Sequence, residues 1–145
     1  MNASSRRFPV VRALLGVLVV LSVFPGVVMT GARAANDPYA SSAYLTVSSP
    51  QLAEMLRSKD FFFVNVHVPY EGEISGTDAQ IPFDRISERL ASFPPDKNAK
   101  VVLYCMSGRM SAIAAQELTR LGYTDVSHLS GGMIAWEAAG YALVK

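Results

Sequence analysis

The sequence has one cysteine, Cys105, among its 145 residues. A single cysteine excludes an intramolecular disulfide and any zinc site built from several cysteines. Charge of one sign is also scarce, because 13 Lys and Arg residues stand against 12 Asp and Glu residues and give a formal net charge of +1. Such a chain has no strong field that would attract nucleic acid, so we expect no nucleic-acid partner.

The first 34 residues contain four arginines and no acidic residue. A largely apolar stretch from Ala13 to Met29 follows the first arginines, and the segment ends on the small residues of Ala32-Arg33-Ala34. This arrangement is typical of a secretory signal peptide that is cleaved after Ala34. The alternative is an uncleaved anchor, because the apolar stretch is close to the length that spans a bilayer. Both interpretations predict an exported protein, either periplasmic or secreted, or else anchored and facing outside; a membrane is a partner only in the second case.

The remaining sequence predicts a linker over residues 35–43 and one domain over residues 44–145. Short apolar runs that predict strands alternate with segments of helical periodicity, and residues 69–82 read as a loop. The alternation indicates an α/β fold with a mostly parallel sheet. The predicted strands are 44–47, 61–66, 101–104 and 126–129, and the predicted helices are 49–57, 85–93, 111–121 and 133–139.

Cys105 follows directly on a fully apolar predicted strand. Open α/β sheets bind ligands beyond the carboxyl ends of their strands, and anions bind where a helix begins. If the next five residues curl around the sulfur, their backbone N–H groups converge on it, and Gly108 gives the backbone the freedom that this turn needs. Together with the charge of Arg109, such a cradle stabilises a thiolate. The alternative interpretation is a small buried hydrophobic residue.

Two motifs carry a resemblance to a known family. They are Tyr-Cys-Met-Ser-Gly-Arg-Met-Ser at 104–111 and Leu-Ser-Gly-Gly-Met-Ile-Ala-Trp at 129–136. Together they resemble the second half of a rhodanese domain, and the resemblance extends over roughly Tyr44 to Lys145. It implies a three-layer α/β fold, with a mostly parallel five-stranded sheet and helices on both faces.

The resemblance also implies a chemistry. Cys105 would be the nucleophile that alternates between thiolate and persulfide, and no metal or organic cofactor is implied. The residues that would bind the anionic sulfur donor are Met106, Ser107, Gly108, Arg109 and Met110. The predicted activity is sulfur transfer from a small anionic donor such as thiosulfate to a thiol or cyanide, with a protein as a further candidate acceptor.

The first half departs from the family pattern. Where most rhodanese domains have Asp-x-Arg, this sequence has Asn65-Val66-His67, and Gly-His-Ile-Pro-Gly-Ala is replaced at 72–77 by Gly-Glu-Ile-Ser-Gly-Thr. The departure bears on substrate choice more than on sulfur chemistry. Glu71 and Glu73 either approach the pocket, where they would repel dianions, or are solvated loop charges. His67 and His128 are interpreted as ordinary polar residues near strand ends; the alternative is a Cys-His pair, which a persulfide mechanism does not need.

Two other functions remain open at this point. One is an exported binding or sulfur-relay module whose partner sets its function, because methionines such as Met106 and Met110 often form adaptable contact surfaces. The other is a cysteine phosphatase or arsenate reductase. These enzymes need a Cys-x5-Arg loop, whereas here Ser111 takes the sixth place and Arg109 falls early.

Overall fold

The computed structural model describes residues 43–145. The predicted signal peptide (1–34) and nearly all of the predicted linker (35–43) lie outside these residues, so cleavage and export stay predictions. Over the described range, no helix has the length and apolar character needed to cross a membrane.

Five strands form one sheet in which every neighbouring pair is parallel. Their spatial order is β1-β5-β4-β2-β3, so β4 is the central strand. The mostly parallel five-stranded sheet expected from the family resemblance is therefore confirmed. The strands are β1 (Leu45–Val47), β2 (Phe62–Asn65), β3 (Ala79–Gln80), β4 (Val101–Tyr104) and β5 (Val126–Leu129).

The strand β3 lies inside the segment 69–82, which was predicted to be all loop. It has only two residues, and it pairs with β2 through Val64↔Ala79 and Asn65↔Gln80. A two-residue strand at the edge of a sheet is too short to leave an alternating pattern. The prediction of loop at these two positions was wrong for that reason.

The helices are α1 (Ser49–Arg57), α2 (Arg109–Arg120) and α3 (Gly132–Ala138). The predicted helix over 85–93 was wrong, because this segment holds two short 3-10 turns, Phe83–Arg85 and Leu90–Ser92. Phe93 precedes a proline and is extended, which ends the segment early. Helix α2 begins two residues before its predicted start.

Each face of the sheet packs on its own hydrophobic cluster, which confirms helices on both faces. One cluster joins the sheet to α2 and the 3-10 turns, and it includes Leu103, Cys105 and Leu118. The other joins the sheet to α1 and α3, and it includes Tyr104 and Trp136. Because side chains alternate along a strand, Cys105 faces α2 while Tyr104 faces the opposite side.

Candidate active site

Cys105 is the residue directly after the central strand β4. Its side chain belongs to the cluster under α2 and is only 1% exposed. The thiol therefore lies at the carboxyl edge of the sheet, beneath the start of α2. This is the location where open parallel sheets hold their ligands.

The loop from Met106 to Met110 wraps the sulfur more sparsely than the sequence predicted. Among its five amides, that of Gly108 has hydrogen-bond geometry to the sulfur, and this N–H lies 3.1 Å from Cys105 Sγ. Gly108 caps α2 with a φ of 93°, in the left-handed region that favours glycine. Ser107 and Arg109 are exposed, whereas Met110 is half-buried against the cluster that contains Cys105 and Met106 is half-buried against the cluster on the other face of the sheet.

The second motif, at residues 129–136, contains the start of α3, which binds the backbone of this loop. In the first turn of α3, the Met133 N–H donates to the carbonyl of Cys105 at 2.9 Å, and the Ile134 N–H donates to the carbonyl of Met106 at 3.0 Å. A trans peptide directs its C=O and its N–H to opposite sides. The N–H groups of Met106 and Ser107 therefore point away from α3.

Arg109 stands at the first position of α2 with its side chain exposed. None of the six ion pairs found within residues 43–145 involves its guanidinium. By contrast, Arg57, Arg85 and Arg120 each pair with a glutamate on their own segment. Arg109 thus presents an unpaired positive charge where the helix dipole is also positive.

A polar row that the sequence analysis missed lies behind the sulfur. Cys105 Sγ is 3.7 Å from Ser111 Oγ, which in turn is 3.2 Å from Nδ1 of His128. His128 Nε2 is 3.4 Å from Thr46 Oγ1, and both Ser111 and His128 are fully buried. The sequence carried no local signal of this contact. It depends on β5 lying next to β4, with His128 paired to Leu103.

The residues near Asn65 that differ from the family pattern form a hydrogen-bond network at the same edge of the sheet. Asn65 accepts the His67 N–H through Oδ1 at 3.0 Å and donates through Nδ2 to the Gly72 carbonyl at 3.0 Å. The Nε2 of His67 lies 2.5 Å from Oε2 of Glu71, whose side chain is half exposed. Glu73 exchanges backbone hydrogen bonds with Val144 near the end of the chain. These contacts hold the segment after β2 in place.

Tyr104 ties that same segment to the central strand. Its hydroxyl accepts the Ile74 N–H at 3.0 Å and lies 2.7 Å from Thr77 Oγ1. Because the Thr77 hydroxyl donates to the Ile74 carbonyl at 2.7 Å, the Tyr104 hydroxyl must donate to Thr77. Burial is the main cause that raises the pKa of Tyr104 to about 12, so the side chain is neutral at ordinary pH.

Comparison with known proteins adds a family to this geometry. The chain matches the model of the rhodanese-like domain over residues 51–139. It is 38% identical over 71 residues to the thiosulfate sulfurtransferase PspE of Escherichia coli, a match that covers 48% of this chain and 68% of that protein. The family match and the name of this relative together support a rhodanese-type enzyme.

Two further similarities concern length and fold. The chain is 34% identical over 110 residues to an uncharacterised protein of Synechocystis, covering 73% of this chain but only 60% of that relative's length. The crystal structure of a rhodanese-related protein from Thermoplasma volcanium superposes with a TM-score of 0.60 at 25% identity. That superposition covers 70% of this chain and 98% of the other.

Proposed function

This chain belongs to the family of rhodanese-like domains, and from that premise we propose that it is a sulfurtransferase in which Cys105 carries the transferred sulfur as a persulfide. The observation that carries the proposal is the 3.1 Å contact between the Gly108 N–H and Cys105 Sγ at the start of α2. A backbone donor at a helix N-terminus favours negative charge on the sulfur. The relative named thiosulfate sulfurtransferase supports thiosulfate as a donor.

In the first half-reaction, the Cys105 thiolate attacks the outer sulfur of thiosulfate. A Cys105 S–S bond forms, the S–S bond of thiosulfate breaks, and its electron pair leaves on sulfite. The total charge is unchanged, and the terminal sulfur of the persulfide carries the negative charge. The N–H groups of Met106 and Ser107, which point away from α3, are proposed to stabilise that charge.

In the second half-reaction, a thiophilic acceptor removes the outer sulfur and restores the Cys105 thiolate. Cyanide would leave as thiocyanate, and a thiol would leave as a persulfide. Met106 and Met110 are half-buried in the loop that follows Cys105, and such adaptable apolar side chains also suit a protein acceptor. Sulfur uptake without release to small acceptors would favour a relay module that serves a protein partner.

Arg109 is proposed to attract the anionic donor, and kinetics on two arginine variants test this role. We expect Arg109→Gln to raise KM for thiosulfate by about fivefold to tenfold at low salt, with a smaller effect at high salt. Arg89→Gln is the matched control, because Arg89 is also exposed and without an ion pair among the described residues, yet lies outside the loop.

Cys105→Ser should form no thiocyanate. Activity of Cys105→Ser equal to wild type would reject the proposed function, and equal KM values for both arginine variants would reject the role of Arg109.

Export remains part of the proposal and is supported by the arginines, apolar stretch and small residues of the first 34 positions. Fractionation of cells that produce the full chain, with N-terminal sequencing of the product, tests it. We expect an exported product that begins at Ala35. A cytoplasmic product that keeps Met1 would contradict export.

A further inference from the structure

Cys105 has little access to water, although its reaction needs a thiolate. The side chain is 1% exposed, so solvent is poorly placed to accept the thiol proton. An internal acceptor would remove this obstacle. The buried row of Ser111, His128 and Thr46 begins 3.7 Å from the sulfur and leads away from the surface.

The distances allow two arrangements of the protons in this row. In the arrangement that a relay needs, Nε2 of His128 carries the hydrogen and donates to Thr46 Oγ1, and the lone pair of Nδ1 faces Ser111. The Ser111 hydroxyl has one hydrogen and two acceptors in reach, His128 Nδ1 at 3.2 Å and the Gly108 carbonyl at 3.0 Å. With that hydrogen on the His128 side, the Ser111 oxygen is open to the thiol hydrogen of Cys105.

We propose that Ser111 and His128 form a proton relay that converts the Cys105 thiol into the thiolate. The S–H bond breaks as Ser111 Oγ accepts its proton, and the original hydroxyl proton of Ser111 passes to His128 Nδ1. The products are a thiolate and an imidazolium, and Ser111 ends as the donor to the sulfur. Only protons move, so no co-reactant is needed. Ser111 contacts the reacting sulfur, whereas His128 acts through Ser111 and is a positioning residue.

Several groups among the described residues lie close to His128 and to the relay. Cys105 faces the row from the end of β4, and Ser111 faces it from α2, where Arg109 is exposed two residues earlier. The ring of Tyr44 meets His128 edge to face, with centroids 5.3 Å apart. After the transfer, the Cys105 thiolate and the His128 imidazolium form an ion pair. The thiolate then accepts hydrogen bonds from the Gly108 N–H and from the Ser111 hydroxyl.

The relay is tested by the pH at which the thiolate forms in the full chain. The ultraviolet absorbance of the thiolate is followed against pH without any sulfur donor, after subtraction of the matching Cys105→Ala chain. We expect the midpoint to rise by about one pH unit or more in Ser111→Ala and in His128→Asn. Asparagine keeps a polar group toward Ser111 but cannot bind a proton. Ser127→Ala is the control, since Ser127 is buried on the same strand but points to the other face.

A second readout uses the unmutated chain and so stays informative if a variant fails to fold. The ring nitrogen chemical shifts of His128 report its charge, and we expect an imidazolium over the pH interval in which the thiolate forms. A neutral ring over that interval would overturn the relay. Wild-type midpoints in folded Ser111→Ala and His128→Asn chains would do the same.

The inference rests on the proposed function only in taking Cys105 as the reactive thiol, and the two can fail separately. Because the titration contains no sulfur donor, a failed relay leaves persulfide formation to be judged by its own assay. A normal thiolate that takes up no sulfur would count against the proposed function and not against the relay.

Discussion

Gly132, the first residue of α3, packs tightly against the backbone of Cys105 and Met106. It has a φ of 57°, and a Cβ on it would overlap the carbonyl oxygens of Cys105 and Met106. Those two carbonyls accept the hydrogen bonds that orient the loop amides outward. A single absent methyl group therefore lets α3 shape the loop around Cys105.

Gly132→Ala tests this close approach against Gly140→Ala. Gly140 also has a positive φ, 88°, but a Cβ there would meet nothing within 4 Å. In Gly140→Ala the free energy of unfolding should fall by only about 1 to 2 kcal/mol, which is the cost of placing alanine in the left-handed region. In Gly132→Ala the free energy of unfolding should fall by at least about 2 kcal/mol more, because backbone atoms must move to relieve the overlap. This variant should also lose most of its sulfur-transfer activity. Urea unfolding and the thiocyanate assay measure both effects, and equal losses in the two variants would contradict the tight fit.

At the scale of elements, β4 connects both faces of the sheet through consecutive residues. Cys105 faces α2, and Tyr104 faces the opposite side, where its hydroxyl holds Ile74 and Thr77. The segment after β2 is therefore fastened to the strand that carries the sulfur. Asn65 and His67 add a second attachment at the same edge.

The attachment through Tyr104 predicts a loss of stability at alkaline pH. The pKa of Tyr104 rises from 10.0 to about 12 on folding. The neutral side chain therefore makes its full contribution to the free energy of unfolding below pH 10, and this contribution is lost as the pH rises through about 12. The loss is about 2 to 3 kcal/mol. Tyr104→Phe lacks this ionisation but leaves the Ile74 N–H without its acceptor, which lowers its stability at neutral pH by about 1 to 3 kcal/mol.

The difference in unfolding free energy between wild type and Tyr104→Phe should therefore shrink between pH 10 and pH 12. Urea unfolding at fixed pH values measures it. Tyr141→Phe is the control, because Tyr141 is half-buried and its hydroxyl has no hydrogen bond among residues 43–145. A difference that stays constant over this interval would contradict the bond network of Tyr104.

The same elements separate what the sequence could predict from what it could not. The central strand, Cys105 at its end and the following helix were visible, because a continuous apolar run and a Gly-containing loop are local signals. The strand β3 and the 3-10 turns near Ile86 were not, because tertiary packing decides such short elements. His128 was missed because its contact with Ser111 depends on strand order.

At the scale of the whole molecule, the sheet order places the sulfur of Cys105 where several elements meet. The strand β4 is central, α2 begins over its carboxyl end, and the first turn of α3 anchors the loop from below. The strands β5 and β1 contribute His128 and Thr46 to the inner side of the sulfur. Under the proposed function, these elements together favour a negative charge on Cys105 or on a sulfur attached to it.

The intact mass of the full chain before and after treatment with thiosulfate tests this claim most directly, with Cys105→Ser alongside. A gain of one sulfur atom that cyanide reverses and that Cys105→Ser lacks is the predicted result. Oxidation to a sulfinic acid adds nearly the same mass, but cyanide does not reverse it. A free, unoxidised thiol that gains no sulfur would contradict the account of Cys105 as a persulfide carrier.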